Sequence, residues 1–364
     1  MSSSFKRFRV YLKSLSRFQI LSPIVRVVES SYLILKLQWV SQTNLRALNL
    51  TWGRNSLNFI PIKVIHEICI PQPKGTYCYN PTIIATAGRV LGFARTTNVS
   101  YMPQVDRLGR SMVRENVSHL LNGIVSFELD SENHLFNIEV LRPLERVPNL
   151  EDPKATFVDG SLKLFCNLVS KEQSENDRSI HCSNAALDLQ NEEIVIYESP
   201  FRKNIEKNWI PFVSNQANLS FFYSTSPQIL LTFGPNSLVP TIRFFDDILT
   251  VNFHGGSQVV ELAPNLFMRV ARRRVVLPRR RIATLSYLVF HNQQGEIIQI
   301  CKPFLFKKLG FEICNGLTIR GPNLLFSWGE DDIRMFIGEI PITELLTWAR
   351  AKENSLYSPI NVAW

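Results

Sequence analysis

Residues 150–164 read LEDPKATFVDGSLKL. From Ala155 the stretch is a short run of strand-forming residues on either side of Asp159-Gly160, a pair suited to a tight two-residue hairpin turn, so two antiparallel strands are predicted. Two acidic side chains, Glu151 and Asp152, stand at the mouth of the hairpin, directly before Pro153. Proline fixes its own backbone angle, removes one amide donor and pushes the preceding residue towards an extended conformation. A carboxyl at Asp152 is thereby expected to point into a cavity, although a plain Asx turn before a strand is the commoner use of Asp-Pro.

The same texture continues on both sides. After residue 60, β-branched and aromatic runs recur between Pro, Gly, Asn and Asp: IPIKVIHEICI, GIVSFELD, LSFFYSTSPQILLTF, ATLSYLVFHNQQGEIIQI and LTIRGPNLLFSWG. Most hold a short turn between two strand-like halves, the pattern of antiparallel hairpins. Polar loop motifs punctuate them at Asn80-Pro81, Glu151-Asp152-Pro153, Glu206-Lys207-Asn208-Trp209, His254-Gly255-Gly256-Ser257 and Cys314-Asn315-Gly316, spaced roughly 71, 55, 48 and 60 residues apart. Each gap fits a four-stranded sheet with its loops. Five such units predict an all-β, five-bladed β-propeller with short N-terminal and C-terminal helical segments, in which equivalent loops converge on one funnel. A β-sandwich with long loops is the alternative, and it leaves the shared phase of the polar motifs unexplained. Residues 1–50 read as a basic amphipathic helical extension and 51–364 as the propeller; helical periodicity returns at ITELLTWARAKENS.

Of the 364 residues 45% are hydrophobic, enough for a large core. The six cysteines show no CxxC pair and no zinc spacing, so no metal is expected and the chain reads as reduced. No secretory leader is visible, and the most apolar stretch, Tyr32–Val40, is short of the ~20 residues a membrane span needs. A cytoplasmic location is therefore expected. The formal charge of +9 is concentrated in two places: five basic residues within 5–17 and seven arginines within 269–281, RVARRRVVLPRRR. The rest is nearly neutral, which argues against a nucleic-acid partner. Phe5, Phe8, Leu12, Leu15 and Phe18 recur at helical spacing among the N-terminal basic residues. That helix either packs on the main domain or lies on an anionic membrane surface, at the inner face of the membrane.

Several loops carry chemistry. A glycosidic bond needs a carboxyl that stays protonated near neutral pH to give a proton to the leaving oxygen, and the Glu151-Asp152 pair offers one. In IEKNWIPFV the Trp209 face can stack on a sugar ring while Lys207 and Asn208 donate to hydroxyls or phosphate; the same Trp can equally anchor two blades. The glycine pair in FHGGSQV has amides that can cradle an anion, with His254 beside them. Glu330, Asp331 and Asp332 follow the strand in LLFSWGEDDIRMF as candidate ligands or as a solvated turn.

Taken together, NPTII with Arg95 fifteen residues on, EDPK before a hairpin, EKNWIPF, the Gly-Gly-Ser loop, NGL and SWGEDD resemble the propeller enzymes of glycoside hydrolase family 130 over about residues 60–345. The resemblance implies β-mannoside-type chemistry in which an acid protonates the leaving group while water or inorganic phosphate, the one co-substrate to consider, attacks the anomeric carbon with inversion. It makes Asp152 the catalytic proton donor, a choice over Glu151 that rests on the resemblance, and has Asn80, Arg95 and Asp332 hold the sugar. Glu151, Lys154, Lys207, Asn208, Trp209 and His254 complete the expected substrate-binding set. Two departures stand out. Lys154 replaces the usual arginine and loses its bidentate fork, and Phe267-Met268-Arg269 stands where a Tyr-His pair is common, leaving Arg269 as the candidate phosphate-binding group.

Three function classes follow: a glycoside hydrolase or phosphorylase acting on an oligosaccharide or glycoconjugate, a glycosyltransferase on the same propeller using an activated donor at a membrane, and a non-catalytic sugar-binding propeller. The arginine segment 269–281 is either a protruding solvated hairpin or a grip for a diphosphate or an acidic membrane.

Overall fold

The hairpin that opens the argument forms as its residues require. In a computed structural model of the chain, Asp159 and Gly160 both have positive φ, 50° and 77°, and Val158 pairs with Ser161 across the turn. The structure describes residues 59–351 and 354–357, except for 87, 100, 106–110, 114–120, 133, 142–148, 175–176, 202–206, 215–218, 226–227, 235–236, 246–252, 254 and 278–280. The basic extension 1–50 and His254 therefore lie outside the described residues. By its backbone contacts the chain divides into residues 1–56 with Val275–Leu277, and the remainder. The five sheets belong to the second unit, but for the last two residues of one strand.

Strand β1 (Lys63–Ile68) is set aside until the end of the ring. Blade one is β2 (Tyr77–Thr86), β3 (Arg89–Thr97), β6 (Asn122–Leu129) and β7 (Leu135–Leu141), with a ribbon of β4 (Tyr101–Val105) and β5 (Ser111–Val113) inserted after β3. Blade two is β8 (Leu150–Val158), β9 (Ser161–Ser174), β10 (Asp177–Asp188) and β11 (Ile194–Tyr197). Blade three is β12 (Ile210–Val213), β13 (Leu219–Thr225), β14 (Gln228–Phe233) and β15 (Thr241–Phe244). Blade four is β16 (Val260–Ala263), β17 (Leu266–Val276), β18 (Ile282–His291) and β19 (Ile297–Cys301), with a short fifth strand, β23 (Ser355–Tyr357), on its edge. Blade five is β20 (Glu312–Arg320), β21 (Asn323–Glu330) and β22 (Arg334–Pro341), completed by β1, whose Lys63 pairs with Glu339. The ring is thus closed by a strand from the start of the described chain. Helix α1 (Ile342–Arg350) follows β22, buries Leu345 and Ala349, and shows the expected C-terminal helical segment.

Burial falls outwards in blades one, two, three and five, whereas in blade four β18 and β19, covered at the edge by β23, are buried throughout. β2 and β20 are buried for seven residues running, whereas every residue of β15 is exposed. Inner strands covered on both faces read as continuous apolar runs, and this is why strict alternation is weak in the sequence. The blades pack face to face. Met268, Val270, Leu288 and Phe290 of blade four meet Leu317, Phe326, Trp328 and Phe336 of blade five; Phe165 of blade two meets Trp209, Phe221 and Phe233 of blade three.

The first part of the arginine segment, residues 269–276, is not solvated. It lies in β17, in the middle of blade four, where alternation sorts its side chains, whereas Arg281 is exposed and 278–280 lie outside the described residues. Phe267 and Arg269 turn towards blade three, and Met268 and Val270 towards blade five. Arg269 is fully buried, donates to His291 Nε2 at 3.0 Å and Thr225 Oγ1 at 3.0 Å, and has its pKa pulled down to about 9 by burial. Among the described residues no helix is long and apolar enough to cross a membrane.

One buried carboxamide joins the inner ends of the blades. Gln258 Nε2 donates to Ile83 O at 2.7 Å and Leu317 O at 2.8 Å, while its oxygen accepts the Thr82 hydroxyl at 3.1 Å. That hydroxyl in turn accepts the Ala155 amide at 3.3 Å, so blades one, two, four and five share one network. Replacing Gln258 by Ala strands two buried carbonyls at about 1–3 kcal/mol each, so a loss of about 2–6 kcal/mol is expected in equilibrium denaturant unfolding. A loss within error of zero would show that water replaces the amide at no cost.

Candidate active site

Near the start of β2 and β8 the inner strands step out of register. Pairing shifts between Tyr79 and Thr82 in blade one and between Glu151 and Lys154 in blade two, and a smaller shift between Cys314 and Gly316 marks blade five. A bulge of this kind bends the strand and re-aims a side chain. The residues at the first two steps, Asn80 and Asp152, take left-handed φ of 54° and 50°. Asp152 is therefore not extended, as Pro153 led one to expect. Asn and Asp tolerate the left-handed region because a short polar side chain can bond locally, and the bulge overrides the proline's preference. In this conformation the carboxyl meets the Asn80 side-chain amide.

Four of the blades meet here. Asn80 Nδ2 donates to Asp152 Oδ1 at 2.8 Å, while the Asn80 amide oxygen is buried without a hydrogen-bond partner among the described residues. Arg95, buried on β3, donates to Glu151 Oε1 at 2.8 Å and lies 3.8 Å from Asp152 Oδ1. Asn122 completes the clamp, accepting from Arg95 Nε and Nη2 at 3.2 and 2.9 Å and donating to Glu151 at 3.0 Å. Blade five closes in through glycine: a Cβ at Gly329 would lie 2.8 Å from the Asn80 amide oxygen. Gly255 plays the same part before β16, where a Cβ would lie 2.8 Å from that of Asn208.

The charges are sorted by position. Burial alone would lower the Arg95 pKa, but Tyr79, Glu151, Asp152 and Asp332 outweigh it, so the guanidinium stays charged. Burial raises Glu151, with the Asp152 charge adding to the rise. Burial also pushes Asp152 up, yet Arg95, Lys154, the Asn80 bond and Arg272 together hold it below the ordinary aspartate value. Asp332 goes the other way: burial, with Asp152 and Asp331 adding, lifts it to about 7 against Arg95 and Arg272. Lys154, buried beside Asp152, is brought down to about 8 by burial.

Of the residues expected from the sequence, Asn80, Arg95, Glu151, Asp152, Lys154 and Asp332 form one electrostatic unit, and Lys207 reaches Glu151 by its charge. Asn208 contributes backbone, its amide donating to Asn167 Oδ1 at 2.8 Å. Trp209 is packed among Phe221, Tyr223 and Phe233 and is a blade anchor. Arg269 faces the seam between blades three and four, away from the carboxylates. Arg272, three residues later on the other face of β17, is the arginine of this strand whose charge, with that of Arg95, acts on Asp152 and Asp332. Sequence reasoning missed it along with Asn122; strand parity within RVARRRVV could have separated Arg272 from Arg269. Among the described residues no cluster of three His, Cys, Asp or Glu could hold a metal ion.

No protein-family model and no curated protein matches the chain. Solved structures do. A β-1,2-mannobiose phosphorylase from Listeria innocua, bound to β-1,2-mannobiose, is 13% identical, with 77% of this chain and 94% of that one covered at a TM-score of 0.51. A structure from work on the GH130 family of mannoside phosphorylases, described as containing glycoside hydrolases that target β-1,2 mannosidic linkages in Candida mannan, is 10% identical over 79% and 97% at 0.53. MPT-4, a mannose phosphorylase from Leishmania mexicana in complex with phosphate, is 10% identical over 82% and 93% at 0.50. At these identities the likeness is one of fold, and it bears out the five-bladed propeller.

Removing Arg95 leaves two buried carboxylates facing each other, so Arg95→Met is expected to cost about 3–5 kcal/mol at pH 7. Without the guanidinium both acids bind protons more tightly in the folded state. The deficit therefore shrinks as pH falls towards the range where they protonate. Urea unfolding of both proteins at pH 7 and pH 5 checks this, and an equal gap at both would contradict the clamp.

Proposed function

We propose that the chain is a carbohydrate-active enzyme that cleaves a glycosidic bond of the β-mannoside type with inversion. What carries the reading is the pair of carboxyls around Arg95, Asp152 favouring the charged form and Asp332 the protonated form at the same pH. Glycosidic cleavage needs one carboxyl to protonate the departing oxygen, and environments that push two acids apart supply such a division. The neighbouring amide oxygen of Asn80 and the donors of Arg95 suit sugar hydroxyls. The mannobiose and mannose phosphorylases that share the fold support a mannoside as substrate.

The nucleophile is water or inorganic phosphate. Arg272 and Lys154 place positive charge beside Asp152, where an incoming phosphate would be accepted. Lys207, at the exposed rim, suits the part of the oligosaccharide beyond the cleaved bond. The purified chain is expected to convert β-1,2-mannobiose or longer β-manno-oligosaccharides to mannose, or to mannose 1-phosphate when phosphate is present, as read by mass spectrometry. Asp152→Asn should lower that rate by about 10²–10⁴-fold, the usual weight of a positioned acid–base group. Absence of any cleavage across the panel, with and without phosphate, would end the proposal.

A further inference from the structure

Glu151 and Asp152 are adjacent in the chain, yet Arg95 engages them unequally, and the residue that makes the difference is Asn122. Arg95 lies opposite Ile124 in the β3–β6 ladder, so Asn122, two residues before Ile124, is its diagonal neighbour on the same face. From there the Asn122 side-chain oxygen accepts from Arg95 Nε at 3.2 Å and Nη2 at 2.9 Å, the two nitrogens of one edge of the guanidinium. Its Nδ2 donates to Glu151 Oε1 at 3.0 Å, the same oxygen that takes Arg95 Nη2 at 2.8 Å. The backbone beneath is held as well. The Asn122 amide donates to Asn149 Oδ1 at 3.3 Å, and Asn149 takes a left-handed φ of 79° just before β8. Asn122, Arg95 and Glu151 are all buried.

A guanidinium is planar and carries its five donors in a fixed fork. With Nε and Nη2 both tied to one oxygen, its plane is set, and the place of the third nitrogen follows. That nitrogen, Nη1, makes no hydrogen bond among the described residues and lies 3.8 Å from Asp152 Oδ1, beyond hydrogen-bond reach. Glu151 Oε1 is thus occupied twice, while the donor beside Asp152 is unspent. Released from Asn122, the guanidinium would be free to turn and take Asp152 as a direct partner, which would close the gap a substrate hydroxyl needs.

We infer that Asn122 is a positioning residue: it holds Arg95 so that Nη1 meets the substrate beside Asp152, and it confines Glu151 to the clamp, away from the chemistry. This role rests on the proposed function and adds to it the group that separates two adjacent carboxyls. Asn122 acts through Arg95 and does not itself touch the substrate.

Cleavage of β-1,2-mannobiose by the full-length chain tests this, with rates counted per folded molecule. Asn122→Ala should lower kcat by about 10²-fold with a smaller change in KM, the effect of a reacting group displaced by about 1 Å. Asn122→Asp sets a carboxylate against Glu151 and should be impaired as well. Adding Glu151→Gln exchanges acid and amide across the clamp at the parent's net charge, and the double variant should regain at least about tenfold over Asn122→Asp alone, as two groups of one network do. If Asn122→Ala lowers the unfolding midpoint but leaves kcat unchanged, Asn122 is structural only. If the double variant regains nothing, the Glu151 carboxylate itself is needed. Either result overturns the inference and leaves the proposed function standing. A readout free of turnover is the Arg95 Nε–H proton, identified by heteronuclear NMR of arginine-labelled protein as the signal absent from Arg95→Lys. Its exchange with solvent should quicken at least about tenfold in Asn122→Ala, the weight of one charge-assisted hydrogen bond. An unchanged exchange rate sinks the inference even if the parent chain cleaves no mannoside.

Discussion

Everything at the centre of the ring depends on the Gln258 carboxamide finding three partners at once. Inner strands converge there with both faces covered, and their carbonyls cannot reach water. Gln258 satisfies two of them from different blades and takes the Thr82 hydroxyl from the same strand as Ile83, so it limits how far β2 and β20 can slide past one another. The glycines follow from the same crowding. A Cβ at Gly316 would lie 2.1 Å from Ser327 Oγ, and one at Gly256 1.8 Å from Val270 O. Once the strands are held in this way, the bulges have only one direction in which to turn Asn80 and Asp152.

The active-site charges are held by a different kind of balance. Buried ions are tolerated when each has a partner of opposite sign and its remaining hydrogen bonds are met. Arg95 meets that condition through Glu151, Asp152 and Asn122. Arg269, only one blade away, is held instead by a neutral histidine, whose pKa burial drives well below its usual value, and by a threonine hydroxyl. Two arginines in the same fold thus have unlike roles, one organising carboxylates and the other filling a seam over the Phe222 ring, 4.7 Å away.

Much of the fold was legible because it is local. Asp159-Gly160 dictates its turn, and the recurring polar motifs mark the inner-strand ends. The site was legible where a motif joins acid and proline, and where an acidic run follows a strand. Asn122 was not, because a lone asparagine gains meaning only from Arg95 and Glu151, each about thirty residues away in sequence. Trp209 was open to two readings, and packing against three aromatic rings decides for the anchor. In the arginine segment the strand and its alternation are local, but which face looks towards blade five is set by neighbours that no local pattern describes.

The clasp between β1 and β22 has a consequence for the chain as it is made. Lys63 meets a partner, Glu339, that leaves the ribosome 276 residues later, roughly tens of seconds at about 5–20 residues per second. Through that interval β1 carries an open strand edge with nothing to pair with. The final blade therefore cannot close until β22 has been made, and a nascent chain stalled before Arg334 would carry β1 as an unpaired strand.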